Sequence, residues 1–368
     1  MSRWKLVRLK FGRNVAHFGE RGIGIEETSE RIRSDTLFSA WMSAYARLVS
    51  SHAVEDLITK FPQIDEQNSL INVPPLFRLS STFIYQKIDG RFVDYLPRPL
   101  TFPTHYPVGG DFDIIKSFKK LKHLPLNIWK RWYQNEQFGS DTIQELTEAT
   151  RKQTTGLLAR SGTFDYPRAY CIQKLPKVAI DRTTRATNFY YTGVVGYRWE
   201  AEQETIENIS GLYFLVEFPT KETEFDRTFF TVLDFLASEG IGGERSSGAG
   251  QFETDVFDLN SDWKQLIQFK KGTQHSLISL LWEPKMSPET LTQASYETKE
   301  RGGWVTSPKA DVQKRRQSVQ MFTEGSTFPV EPEGKLADVT PRNFKAHRVY
   351  RSGIAISLPI KVKRSEST

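Results

Sequence analysis

The sequence predicts an α+β protein of two units, each a small antiparallel sheet backed by helices. Stretches of period-two alternation and stretches with apolar residues three and four apart succeed one another in both halves of the chain. At 368 residues the chain exceeds the roughly 250–300 residues at which one hydrophobic core stops growing. An apolar fraction of 38%, with 25 Phe, 13 Tyr and 8 Trp, supplies enough buried surface for a folded protein. Wholesale disorder, a coiled coil and collagen are excluded on the same grounds.

The first element is a half-buried strand over Arg3–Phe11, where Lys5, Val7, Leu9 and Phe11 share one side. A connection containing Gly19, Gly22 and Gly24 follows. Ser34 then stands as N-cap of a helix of about four turns carrying Leu37, Phe38, Trp41, Met42, Tyr45 and Leu48, with Asp35 complementing its dipole. Eight prolines between Pro62 and Pro125 break every long period, so residues 60–160 are expected to form an insertion of short strands and turns. Leu212–Phe218 is a strand, and Asp226 caps a helix carrying Phe229, Phe230, Leu233 and Leu236 that Gly240 ends. Strands recur at Ser276–Trp282 and Arg348–Ile360, separated by a polar insertion at 283–343. The expected units are 1–210, with its insertion and a hairpin at 174–195, and 211–368, with a Gly-rich loop at 240–250.

One cysteine, Cys171, permits neither an internal disulfide nor a Cys-based zinc cluster, which points to a reducing compartment, the cytoplasm. Apolar runs such as Leu277–Trp282 fall far short of the ~20 residues a membrane span needs, so no membrane contact and no signal peptide are expected. Six histidines show none of the spacings that set metal ligands on one helix face, and neither metal nor cofactor is expected. The formal charge of +6 is concentrated in two places. Residues 161–199 hold six basic side chains against Asp165 and Asp181, interleaved with eight aromatics, and 341–364 hold seven basic residues and no acidic one. Both look like surfaces facing phosphate.

Within the first of these, Lys177, Arg182 and Arg185 suit phosphate oxygens, Thr183 and Thr184 offer hydroxyls, and the flanking aromatics can stack on unpaired bases. Single-stranded nucleic acid is the natural ligand, against the plainer alternative of a solvated hairpin. The run Gly242-Gly243-Glu244-Arg245-Ser246-Ser247-Gly248-Ala249-Gly250 lacks the Lys-Ser/Thr ending of a nucleotide-hydrolysing loop. It offers instead bare backbone N–H groups together with Arg245, Ser246 and Ser247, or it is a flexible turn. His17, beside Gly19 and Glu20, is the best candidate for acid–base work, and as a lone histidine it reads more readily as structural or RNA-contacting.

Three blocks carry a family resemblance: His17–Glu26 leading to Ser34–Ala40, the loop Gly242–Gly250, and the end Tyr350–Ile360. They resemble subunit four of the Csm-type (subtype III-A) CRISPR effector complex, a group within the repeat-associated mysterious proteins. The resemblance implies two ferredoxin-like (RRM-like) domains, the Gly-rich loop belonging to the second. It implies a noncatalytic subunit that holds the 5′ handle of the CRISPR RNA, docks the large polymerase-like subunit and meets an adjacent backbone subunit through the hairpin. RNA contact is carried over to His17, Arg182, Arg185, Arg245 and the loop glycines. An alternative is a metal-independent endoribonuclease processing precursor CRISPR RNA, with His17 as general base and Arg245 steadying the charge on phosphorus. A third is a protein-interaction scaffold exposing Trp129, Trp132 and Tyr133.

Overall fold

The computed structural model describes residues 2–19, 24–64, 70–104, 112–135, 138–139, 141–146, 157–202, 205–219, 223–305 and 314–362. Strand β1 (Arg3–Lys10) leads to helix α1 (Ser34–Leu48) and then to the hairpin β2 (Phe83–Ile88) and β3 (Arg91–Pro97). A second, much longer hairpin follows, β4 (Tyr170–Ile180) and β5 (Thr187–Tyr197), then β6 (Ser210–Phe218), α2 (Thr223–Glu239) and β7 (Glu253–Asp258).

Chain order and sheet order differ. The largest sheet runs β7-β1-β6-β2-β3 and ends on His123–Pro125, with Arg78–Leu79 also pairing β6. Its neighbours are antiparallel throughout, with Val7 opposite Phe214 and Val256. A boundary at residue 210 is therefore overturned: β6 and β7 flank β1, and the Gly-rich loop between α2 and β7 belongs to the first unit. The sequence signal was a repeated strand–helix order, but only the hydrogen-bonded register shows which sheet a strand joins. For the same reason 60–160 is not all insertion, since β2 and β3 are integral to this sheet.

Alternation along the strands splits the core in two. Val7, Leu9, Leu212, Phe214 and Val216 face α1 and α2, where Trp41, Phe77 and Phe229 pack edge-on and stacked with ring centroids 5.0–5.2 Å apart. Leu6, Phe83, Tyr85, Tyr213 and Leu215 face the other way, against Trp129, Trp132, Trp263, Ile356 and Leu358. Trp129, Trp132 and Tyr133 are thus buried, not an exposed patch. Both faces are covered at the centre of the sheet, while Val256 and Phe257 on the edge strand β7 stay 42% and 43% exposed.

The C-terminal region centres on Gln274–Leu277, paired on one side by Thr327–Phe328 and on the other by Ser357–Ile360. The expected strand Arg348–Ile360 is two strands, Tyr350–Ser352 and Ser357–Ile360, broken where Gly353 packs its backbone onto Trp282 so closely that a Cβ would lie 2.3 Å from the tryptophan's. Leu336–Asp338 is sandwiched between Tyr350–Ser352 and Gln63–Ile64, so the first unit lends a strand to the second.

An ionic seam joins the halves at the N-terminus of α1. Asp35, fully buried, accepts from Arg301 at 2.9 and 3.1 Å and from Arg351, while Glu324 accepts from Arg31 at 3.1 Å and from Arg33 and Ser81. These guanidiniums hold both carboxyls below their ordinary range in spite of burial. Ser34 does not cap its helix. Its hydroxyl accepts instead from the Leu280 N–H at 2.9 Å. Nor does Asp226 cap α2, which begins at Thr223; its carboxylate takes a two-pronged bond from Arg3. Arg351, expected on a phosphate-facing surface, is spent on this seam. Among the described residues no helix is long and apolar enough to cross a membrane, and no cluster of three His, Cys, Asp or Glu could hold a metal ion.

Candidate nucleic-acid interface

Eleven residue pairs join β4 to β5, from Tyr170 opposite Tyr197 to Ile180 opposite Thr187, and among the described residues no third strand completes a sheet with them. β-branched and aromatic residues favour this extended pairing. From Lys174 to Ile180 the ribbon is mostly exposed, which at about 3.4 Å per residue makes an arm of roughly 20 Å. Ile180, Phe189 and Val178 are 64%, 58% and 53% exposed, and Phe189 and Tyr191 meet edge-to-face at 5.1 Å.

The tip is a built turn. Asp181 accepts from the Thr183 N–H at 2.8 Å, the Thr184 N–H at 3.3 Å and the Thr184 hydroxyl at 2.8 Å, bonds that lower its carboxyl's pKa. Arg185 takes a left-handed φ of +58° to close the turn, and its N–H reaches the Asp181 carbonyl at 2.8 Å. Arg182 and Arg185 are exposed and have no acidic partner among the described residues. The Thr184 hydroxyl donates inward to Asp181, so the turn, not a ligand, uses its proton.

At the arm's root the three sequence segments meet. Ala16 bridges Val195 in β5, and His17 bridges Gly243 in the Gly-rich loop. The His17 ring is 7% exposed, with Nδ1 2.7 Å from the Gly193 carbonyl. A carbonyl only accepts, so Nδ1 carries a proton and donates it to Gly193. Gly19 lies beside the other ring nitrogen: a Cβ there would sit 3.1 Å from Nε2. Glu20 and Gly22 lie outside the described residues.

The loop's glycines serve close packing more than ligand approach. Gly242 takes φ +96°, and a Cβ would fall 2.3 Å from the His17 carbonyl oxygen. The N–H groups of Gly243 and Gly250 donate to the carbonyls of His17 and Val15 at 2.9 and 2.8 Å, and that of Gly248 to Arg245 at 3.0 Å. The expectation of bare amides at Gly243, Gly248 and Gly250 is therefore corrected. What the loop presents outward is the turn Arg245–Ser247 with Gly248, all exposed, Arg245 without an acidic partner among the described residues. Lys177, expected on RNA, pairs instead with Glu244, clamping arm to loop.

Some basic-aromatic residues do not belong to this surface. Tyr197 is buried, with its hydroxyl donating to the Glu30 carbonyl at 2.7 Å, and Arg168 pairs with Asp165 at 3.0 Å. Sequence reasoning missed Glu244 as the clamp and Gly193 as the partner of His17. The sequence trace of the second was one of two glycines set among the aromatic and β-branched residues of β5.

Residues 270–360 match the family model of the CRISPR Csm4 C-terminal domain. Similar over most of the chain is the "CRISPR system Cms protein Csm4" of Methanocaldococcus jannaschii, 25% identical, the alignment covering 95% of each chain. The protein of the same name from Thermococcus onnurineus is 24% identical over 90% of this chain and 92% of its own. In fold, the chain is similar to one in the crystal structure of the Csm3-Csm4 subcomplex of the type III-A CRISPR-Cas interference complex, at TM-score 0.56 and 18% identity, over 97% of this chain and 99% of that one. It is similar too to a chain of the Csm1-Csm4 cassette in complex with pppApA, at TM-score 0.51 and 18% identity, over 99% and 100%. A Csm4 domain model thus matches the C-terminal quarter of the chain, and relatives named Csm4 are similar to it along nearly its whole length.

Proposed function

We propose that this chain is a noncatalytic subunit of a type III-A Csm complex that holds the 5′ handle of the CRISPR RNA, docks the large polymerase-like subunit and sits beside a backbone subunit. The observation that carries the reading is that the arm, the His17 segment and the Gly-rich turn meet at the arm's root, with Arg245 exposed on the turn and Arg182 and Arg185 exposed at the arm's tip, none with an acidic partner among the described residues. The names of the similar solved assemblies, which pair Csm4 with Csm3 and with Csm1, support the protein partners. The strand order β7-β1-β6-β2 with both helices on one face supports reading residues 3–258 as one ferredoxin-like unit and 259–362 as a second region. Such sheets in RNA-recognition modules stack bases on their open face. Here the centre of that face is covered, so RNA is left to the loops and the arm.

The proposed mechanism is preorganisation: exposed guanidiniums position the phosphates, and Phe189 and Tyr191 offer rings to unpaired bases. The nuclease alternative draws little support from the site, because the His17 ring is buried, tied to Gly193 and roofed by Gly243. The test is fluorescence anisotropy with repeat-derived RNA. Charge reversal at Arg182 and Arg185 together is expected to weaken binding and to flatten log K against log salt by about one unit per lost phosphate contact. Unchanged affinity and slope overturn this placement. Incubation of the protein with the same RNA in chelator is expected to leave it intact, and specific cutting abolished by His17→Ala would favour the nuclease.

A further inference from the structure

The basic stretch that follows Pro341 belongs to the C-terminal region, and the fold sets the basic run Lys314-Arg315-Arg316 against it. Trp304–Val305 and Lys314–Arg315 pair as a short antiparallel ribbon, with Trp304 opposite Arg315. The chain after Lys314 runs beside residues 339–343: the Gln317 N–H donates to the Val339 carbonyl at 3.0 Å, and the Lys314 ammonium donates to the Asn343 carbonyl at 2.8 Å. Arg342 and Lys345 therefore flank the point where Lys314 docks. A turn closed by the Phe344 N–H on the Pro341 carbonyl at 3.1 Å, with Asn343 at φ +62°, fixes the loop that carries them.

Arg315, Arg342 and Lys345 are exposed and have no acidic partner among the described residues. Arg348 differs, being paired with Asp338 at 3.1 Å. Arg316 is the most telling group of the cluster. Its half-buried guanidinium gives Nε to the Trp304 carbonyl at 3.1 Å, while both Nη groups reach solvent with no partner among the described residues. Its charged neighbours are Arg351 and Arg301, which already share Asp35, and burial together with these cations pulls its pKa down to about 10. Three guanidiniums thus answer to one carboxylate. The surplus charge is held partly out of water, where an anion is attracted more strongly than at an open surface.

Trp304, 40% exposed, adds a ring directly across the ribbon from Arg315. Protein interfaces deplete lysine and match charge with charge, whereas cations without acids beside an open aromatic suit a phosphate chain with unpaired bases. The geometry points to a second single-stranded-RNA site on the C-terminal region, with Arg315, Arg316, Arg342 and Lys345 on phosphates and Trp304 stacked on one base. It rests on the proposed function for its ligand class alone. The arm and the Gly-rich turn contribute none of its residues, so either site can fail while the other stands.

The experiment is fluorescence anisotropy with a short oligouridine, an RNA without handle sequence, on the full chain carrying Arg182→Glu and Arg185→Glu so that the arm's phosphate contacts are gone. Binding is expected to persist. Adding Arg315→Glu, Arg342→Glu and Lys345→Glu is expected to weaken it by about tenfold or more and to flatten log K against log salt by about 0.7 per lost phosphate contact. Trp304→Ala is expected to cost about tenfold and Trp304→Phe to restore most of it, which separates stacking from folding. Photocrosslinking of 4-thiouridine RNA to the unmodified chain is expected to label peptides containing Trp304 or Lys345, and so tests the site without any substitution. No binding by the arm variant, an unchanged affinity and salt slope after the three further reversals, or crosslinks confined to 177–191 and 242–250 would overturn the proposal. Unchanged RNA binding with lost assembly onto partner subunits would assign the surface to a protein and overturn it as well.

Discussion

Asp35 shows how one residue's role depends on what packs against it. As a helix-start acid it would contribute at most about 1 kcal/mol, but buried between Arg301 and Arg351 it balances charges that have left water. Asp35→Asn is expected to cost about 3–5 kcal/mol in urea unfolding, because it strands buried guanidiniums; a loss under about 1 kcal/mol would show the seam to be solvated. His123 behaves in the opposite sense. Its ring stacks on Tyr166 at 4.4 Å, and burial, aided by Arg31, pushes its pKa from 6.5 down to about 3. The unfolded chain therefore binds a proton near pH 6.5 that the folded chain refuses, so stability present above that pH is lost as pH falls toward 3. Burial lowers His275 as well, adding to the loss. The urea midpoint is expected to drop between pH 7 and pH 5, and His123→Gln to flatten the drop. The Asp35 and Glu324 carboxyls, held low, add their own loss only at more acid pH.

At the scale of elements, the arm and the Gly-rich loop divide the labour of binding and support. Beyond Lys177 the ribbon adds almost nothing to the core, so replacing residues 178–189 by a two-residue turn, which spares the Lys177 clamp, is expected to leave the melting temperature nearly unchanged while abolishing handle RNA binding. A large fall in melting temperature would mean that the arm is part of the folded core. The loop is the reverse case. Gly242→Ala places a Cβ against the His17 carbonyl at a left-handed φ and is expected to cost about 1–3 kcal/mol and displace the Arg245 turn, read as lower melting temperature together with weaker RNA binding. Much of this was legible from residue types: Asp181, Thr183, Thr184 and Arg185 form the turn their composition suggests. That the loop amides are consumed by Val15 and His17 was not legible, because the partner strand lies more than two hundred residues away.

Across the whole molecule, the two regions share a core, a strand and an ionic seam. The face of the sheet bearing Leu6, Tyr213 and Leu215 is closed by Trp263, Ile356 and Leu358, and Gln63–Ile64 pairs with Leu336–Asp338. Full-length protein is expected to unfold in one cooperative transition, and a fragment 1–258 to bind hydrophobic dye and lose its near-ultraviolet circular dichroism. Two separated transitions would show independent domains. Strand and helix positions such as Arg3–Lys10, Ser34–Leu48 and Ser210–Phe218 were readable in advance, because hydrophobic period is a local property of neighbouring residues. The sequence by itself determined the α+β class, the exposed cationic arm and the glycine-rich turn. Only the tertiary structure decided that β6 and β7 join β1, that both faces are closed at the sheet's centre, and that Lys177 and Arg351 neutralise carboxylates while Arg182, Arg185 and Arg245 have no acidic partner among the described residues. Pairing partners distant in sequence leave no periodic trace, and a charge reads alike whether it faces water or a buried acid.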